Sequence, residues 1–486
     1  MRNKLKYLVI FLFAGIITSC QDAMDIPNQP GTVLEDMTFN NVQDLQFGLN
    51  FVYNTYSKLG EINFNAVFTD NVKNGNSSAG QNRELYNHLL MSTTSMTDGG
   101  TIGSITMWGS RYATINYVNR VLDAYKNMTI EDPAEQQKAK IIAGQLYGIR
   151  AMCHLDLIRY YAKTYTPSTN PNSGVPIMDF VPDSYLYDAE RSSVADVYAF
   201  IDKDLDKAES LLVNQTLDKR YFSATAAKGI HARMYLLEKK YDSARIAAQE
   251  VLAAIPMAAP ADYPKIFTDE TNAGVVFELR KSEGSVAPAN LFYFTSFRGS
   301  DAYVEMSNEL FNTLQSNDIR RSVLLSVSNS TVEGVNDPDN ILAIGKYPGS
   351  GTGELVNDVK VIRSAEMQLI IAESWARENN VGQAENAINT LRTKRGLSTV
   401  SLSSQQDALL EVLKQRRLEL AYEGFRFIDL KRFRDVTNTG ITRNSIDCAS
   451  YHSVNCSLSG NDHRWVLPIP QAEINGNSKM TQNDGY

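Results

Sequence analysis

Residues 416–433 read RRLELAYEGFRFIDLKRF: four arginines, two glutamates, an aspartate and a lysine set among aromatics and leucines. Carboxylates beside arginines support two kinds of chemistry. They can transfer protons at an active site, or neutralise one another inside a core. Helical phase discriminates between the two. With Leu409 at zero and 100° per residue, Leu413 falls at about +40°, Leu420 at about +20° and Val412 at about −60°. Arg416 at about −20° and Glu423 at about −40° share that apolar face, and Glu419 borders it at about −80°. Charges pointing inward must be paired. The expected partners are Arg416 with Glu419 one turn on, and Arg426 with Glu423 or Asp429 around Gly424. The stretch therefore reads as a structural ion network of Arg416, Glu419, Glu423, Arg426 and Asp429.

Other chemistries find less support. The five histidines, His88, His154, His231, His452 and His463, are scattered singly, without metal-ligand spacing. The run from Asp202, DKDLDKAESLLV, starts like a calcium loop but has Lys207 and Val213 where glycine and glutamate are required; it reads as a charged helix face. GSGTGE at 349–354 lacks the Lys-Ser/Thr of a phosphate loop and reads as a flexible loop. No G-x-S-x-G elbow occurs. The reading is of a non-enzyme with no cofactor and no metal site.

The chain opens MRNKLKYLVIFLFAGIITSC. Arg2, Lys4 and Lys6 precede an apolar run from Leu8 to Thr18, too short to span a bilayer and right for a signal peptide. Ile17-Thr18-Ser19-Cys20 resembles a lipobox, so Cys20 is the expected lipid attachment point. Removing residues 1–19 takes away three bases and no acid, moving the net charge from −8 to −11. That balance argues against nucleic acid and against a polybasic membrane patch. The lipid is then the anchor, followed by the acidic QDAMD. Cys153 reads as a packed helical residue. Cys448 and Cys456, in a loop-like segment, can close a small disulfide in an oxidising compartment.

Positioning these groups falls to helices. Apolar periodicity marks helices in NVQDLQFGLNFVYNTYSKLG (ending at Gly60), WGSRYATINYVNRVLDAYKN, VADVYAFIDKDLDKAESLL and the long proline-free run AEQQKAKIIAGQLYGIRAMCHLDLIRYYAKTY. Ala232, Tyr235, Tyr241, Ala244, Ala248 and Pro256 fit the tetratricopeptide pattern. Ala372, Trp375, Ala384, Ile388 and Leu391 repeat it far downstream, not in tandem. Trp108 reads as helix core. Two irregular regions, 61–107 and 257–360, are rich in Asn, Gly and Ser, and the second includes strand-like GVVFEL and LFYFTSF.

The signature resembles that of the SusD/RagB family, surface nutrient-binding lipoproteins of Bacteroidetes. Arg416, Arg417, Glu419, Leu420, Glu423, Gly424, Arg426, Asp429, Leu430, Arg432 and Phe433 match its named places. VIRSAEMQLIIAESW and HRWVLPIPQAEINGNSKMTQNDGY, with Trp465, resemble the family's other C-terminal segments. The resemblance implies a mainly α, SusD-like fold with tetratricopeptide-like helix pairs as scaffold and an irregular loop and short-strand lobe for ligand. The expected divisions are 1–19 signal peptide, 20–38 lipidated tether, 39–256 N-terminal part with helical repeats and 257–486 C-terminal part.

It also implies an outer-membrane, cell-surface lipoprotein that captures an oligosaccharide or polysaccharide and delivers it, as a lid, to a SusC-like TonB-dependent transporter. A RagB-like peptide binder, a surface glycoside hydrolase and a purely protein-binding scaffold are the alternatives. Sugar binding needs aromatic faces and polar groups for hydroxyls. The irregular regions offer Phe64, Phe68, Asp70, Asn71 and Asn74, and Phe292, Tyr293, Phe297, Arg298 and Tyr303. Alternation in LFYFTSF is expected to send only one of Phe292 and Tyr293 inward.

Overall fold

The computed structural model describes residues 38–90, 104–182, 187–293, 302–350, 355–449 and 455–486, apart from positions 76, 168 and 217. The signal and lipobox segment, and the GTGE of 351–354, lie outside the described residues. The principal helices are α1 (Val42–Thr55), α2 (Leu59–Val67), α3 (Ser104–Asn127), α4 (Pro133–Tyr161), α5 (Val194–Leu212), α6 (Ala224–Leu237), α7 (Tyr241–Ala254), α8 (Ser364–Arg377), α9 (Val381–Lys394), α10 (Gln405–Leu420) and α11 (Arg426–Thr437). Strands β1 (Val72–Asn74) and β3 (Val304–Met306) pair antiparallel, as do β2 (Val275–Leu279) and β4 (Val359–Arg363). The mainly α architecture is the expected one.

Short polar side chains start several of these helices by accepting otherwise unpaired backbone N–H groups. Asn41 caps α1 at Asp44, Asp132 caps α4 ahead of Pro133, Ser193 caps α5, Ser223 caps α6 and Ser404 caps α10. The first helix does not run on to Gly60. It stops at Thr55 and restarts at Leu59, because the intervening Tyr56 and Lys58 turn inward to Asp156 on α4, at 2.9 and 2.8 Å. Arg111 and Arg159 close on the same carboxylate, and Arg111 also reaches Glu61. Burial alone would raise the Asp156 carboxyl; Lys58 and the two arginines hold it far below the usual range.

The long α4 packs against α5, as its small residues permit. A Cβ on Gly148 would sit 2.0 Å from the Phe222 ring, and one on Gly144 2.7 Å from Leu212. The Asp202 run lies on α5 but is not wholly a solvent face. Asp204 is buried against Arg150 at 2.7 and 2.8 Å, while Asp202, Asp206 and Glu209 surround His231 on α6. Trp108 is in the core at 1% exposure.

The two repeat-like pairs, α6–α7 and α8–α9, are separated in sequence yet stack directly through α7 and α8. Arg233 on α6 grips Glu366 on α8 with two bonds of 2.7 Å, and Arg245 on α7 lies 3.6 Å over the Trp375 ring. The tandem array absent from the sequence is thus completed in space, and the segment between the pairs projects as an insertion. α10 and α11 continue the stack.

Candidate ligand-binding site

The β1–β3 ribbon joins the two irregular regions. Val72 opposes Met306, Lys73 opposes Glu305 and Asn74 opposes Val304. Beyond the strands, Gly75 N–H donates to Tyr303 O at 3.0 Å and Ser77 N–H to Ala302 O at 2.9 Å. Gly75 must lack a side chain, since a Cβ there would fall 2.2 Å from Ala302 O. A two-stranded ribbon is marginal by itself. Here Lys73 bridges it by pairing with Glu305 and donating to Asn340 O, while Asn340 in turn binds Asn308 and Gly334. Asp447 accepts from the Asn308 backbone and side chain, both at 2.9 Å, one residue before the Cys448–Cys456 disulfide.

The signature segment supports this lobe from beneath. Arg426 makes two bonds to Asp70, at 2.8 and 2.6 Å. Arg417 donates to Asn71 Oδ1 at 3.0 Å, Asp70 O at 2.7 Å and Glu309 at 2.8 Å. Burial would raise the Asp70 carboxyl, and the two arginines outweigh it and pull it far down. Glu419, at 0% exposure, accepts from Arg363 at 2.8 Å and from Arg395 at 2.8 and 3.0 Å, with Arg320 at 3.8 Å. Burial again acts to raise its carboxyl, and Arg395, Arg363 and Arg320 hold it well below the usual range. Glu423 binds Lys346 and Arg363, and Arg416 pairs with Asp429 at 2.9 Å.

Arg416, Glu419, Glu423 and Asp429 are therefore buried and Arg426 is largely so, but the expected partners need correction. Arg416 does not meet Glu419, and Arg426 meets neither Glu423 nor Asp429. Glu419 and Glu423 face β4 and α9 across the fold, so distant cations neutralise them, and Arg426 turns outward to Asp70 on the lobe.

Most of the aromatic candidates also need correction. Phe64 and Phe68 are fully buried, stacked at 4.8 Å, and pack on Phe427. They stand one turn apart, Phe64 on α2 and Phe68 at its C-cap, so part of the region 61–107 is helical. Phe292 and Tyr293 both point inward, directly after a 3-10 turn at Pro288–Leu291 that breaks the in-out alternation of a strand, and Tyr293 donates its hydroxyl to Ile344 O at 2.6 Å. Asp70 and Asn71 are buried in the network described above. These six offer no surface to a ligand. Asn74 and Tyr303 are half-buried beside the ribbon. Phe297 and Arg298 lie outside the described residues. Among the described residues no group of three His, Cys, Asp or Glu side chains is arranged to hold a metal ion, and no helix is long and apolar enough to cross a membrane.

Stacked helix pairs carrying a loop lobe on a buried ion network define a class of binding scaffold. Residues 30–236 match the family described as "Starch-binding associating with outer membrane", and residues 343–486 match the SusD family. "SusD-like protein P2" of Formosa agariphila is 24% identical, with both chains covered in full. A SusD superfamily protein of Bacteroides vulgatus superposes with a TM-score of 0.76 at 22% identity, covering 92% of this chain and 100% of that one. A structure titled "Laminarin binding SusD-like protein" gives 0.68 at 19% identity, covering 92% and 100%. By these matches the chain is SusD-like in sequence over residues 30–236 and 343–486, and it shares the fold of the SusD superfamily structures.

Proposed function

We propose that this protein is a cell-surface lipoprotein, anchored through Cys20, that captures an oligosaccharide at the loop lobe and passes it to a SusC-like TonB-dependent transporter as its lid. The observation that carries this reading is the β1–β3 junction. It sets the two Asn- and Ser-rich regions side by side, and Arg417 and Arg426 fix them to the scaffold. Starch, in the name of the matched family, and laminarin, in that of a structural neighbour, are both neutral glucose polymers, which favours a glucan ligand. Asn74 and Tyr303, with Phe297 and Arg298, are the residues proposed to touch it. The lipobox and the family's association with the outer membrane support the location.

A glycan and peptide array on the chain from residue 21 tests the ligand. Neutral glucans should bind, and Asn74→Ala with Tyr303→Ala should weaken binding about tenfold, the effect of losing roughly 1.4 kcal/mol. Binding of peptides alone, or unchanged affinity in the double variant, refutes the reading. Co-purification of a barrel protein with the wild type and not with Cys20→Ser tests the anchored partnership.

A further inference from the structure

A basic cleft lies away from the lobe, where the end of α4, the last turns of α11 and the segments 163–173 and 459–465 meet. Two cavities of about 380 and about 730 Å³ share Lys163, Thr164, Lys431, Arg434 and Asn461, so they form one continuous groove. Eight lysines and arginines line it against three aspartates, in a chain of net charge −8. Those aspartates are already engaged: Asp435 with Arg377, Asp462 with Arg464 and Asp484 with Lys163, at 2.7, 2.6 and 2.7 Å.

Three cations are left whose described partners are almost all backbone carbonyls. Lys431 donates to Arg159 O and Ala162 O at 2.9 and 2.7 Å. Arg434 donates to Lys431 O and Gly460 O, lies 5.1 Å over the Trp465 ring, and has no described protein acceptor at Nη2. Arg191 donates to Gly174 O, Thr481 O and Asn483 Oδ1. None of the three has a described carboxylate within 4 Å. Arg191 and Lys431 are only 4% and 7% exposed. An ammonium has three donors and a guanidinium five, so Lys431 and Arg434 keep donors in reserve.

Carbonyls orient such heads without neutralising them, and burial without a counter-charge is costly. The cost shows in Lys431, which burial, helped by Arg434, brings down to about 7, and in Arg191, brought down to about 10 by burial. Half-buried Tyr165 and Tyr241 line the smaller of the two cavities and offer ring faces.

We propose that this cleft binds an acidic saccharide, its carboxylate or sulfate ester seated on Arg434, Lys431 and Lys163. The site does not depend on what the lobe binds. Arg426 and Arg434 are eight residues apart on α11, about 12 Å at 1.5 Å per residue, and serve different surfaces. The uncharged glucans expected at the lobe carry no group to satisfy these cations.

Calorimetric titration of the chain from residue 21 tests this with four probes at low and high salt. They are tetragalacturonate (carboxylate), a carrageenan tetrasaccharide (sulfate), maltotetraose (neutral) and a polyglutamate peptide. At least one acidic saccharide should bind, and the stronger of the two identifies the oxyanion. Raised salt should weaken it about five- to tenfold, and Arg434→Gln about tenfold, with maltotetraose binding unchanged. Lys163→Gln removes an exposed lysine at the cleft mouth, paired among the described residues only with the similarly exposed Asp484, and should weaken the acidic probe about threefold even if Arg434→Gln fails to fold. If neither acidic saccharide binds, if both variants leave its affinity unchanged, or if polyglutamate alone is taken up, the proposal is overturned.

Discussion

Substituting Glu419 with Gln isolates the charge of the network from its shape. The replacement is isosteric, so no cavity opens. Among the described residues around Glu419, Arg320, Arg363, Arg395 and Lys346 face Asp318, Glu419 and Glu423 alone. The cluster thus carries one excess positive charge, and the variant carries two. At a separation of about 4 Å and an effective dielectric near 20, each lost guanidinium–carboxylate attraction is roughly 4 kcal/mol. Relief from desolving the carboxylate returns several kcal/mol. The net expectation is about 3–5 kcal/mol of lost stability, a large part of the roughly 5–15 kcal/mol typical of folded domains. Urea unfolding of the chain from residue 21, followed by both far-UV dichroism and tryptophan fluorescence, measures it. Glycan affinity of the folded fraction should stay at the parent value. The double change Glu419→Leu with Arg395→Met should recover much of the loss, because the pair leaves together. A Glu419→Gln protein within about 1 kcal/mol of the parent, or one fully folded but unable to bind, refutes the scaffold role.

Two further outcomes follow from the geometry. Asp70→Asn deprives Arg426 and Arg417 of their shared carboxylate and should cost about 3 kcal/mol; amide exchange should quicken first at 68–75 and 302–307, and uniform acceleration throughout the scaffold would contradict local docking. At His231, burial lowers the imidazole's proton affinity, but Asp202 and Glu209 outweigh it and raise the group from 6.5 to about 9. Its stabilising contribution is therefore complete below pH 6.5 and lost as pH rises through about 9, by about 1–3 kcal/mol after allowing for the partly exposed carboxylates. Unfolding midpoints of the parent and His231→Gln should converge above pH 9, and parallel curves would show that the histidine does not titrate in this way.

Much of the scaffold is legible in the chain because helical phase is local information. It places Arg416 and Glu423 inside and marks both repeat-like pairs. The partners of those charges are not local: Arg363 sits on β4, Arg395 just after α9 and Asp70 ahead of β1, so no spacing within 416–433 encodes them. The lobe is less legible because its Asn- and Ser-rich composition masks its periodicity. Phe64 and Phe68 stand at i and i+4, the separation of a helix face, and that face lies in the core. Carbonyl-bound cations such as Lys431 leave no pattern, since their partners are backbone atoms.

The neck beneath the insertion has a consequence for how such proteins diversify. Ser364 donates its backbone N–H to Gly274 O at 2.9 Å and its hydroxyl to Ile255 O at 2.6 Å, so the end of α7 and the start of α8 touch whatever lies between them. β2 and β4 then clasp the outgoing and returning chain. The segment leaves and returns through a closed neck, and Arg320 and Lys346 tie its inner part into the ion network. Lengthening a flexible stretch of such a loop twofold costs only about 0.6 kcal/mol in closure entropy. Its tip can therefore be exchanged or extended at little thermodynamic expense, so long as the clasp, the β1–β3 ribbon, the Arg320 and Lys346 ion pairs and the Asn308–Asp447 contact are kept.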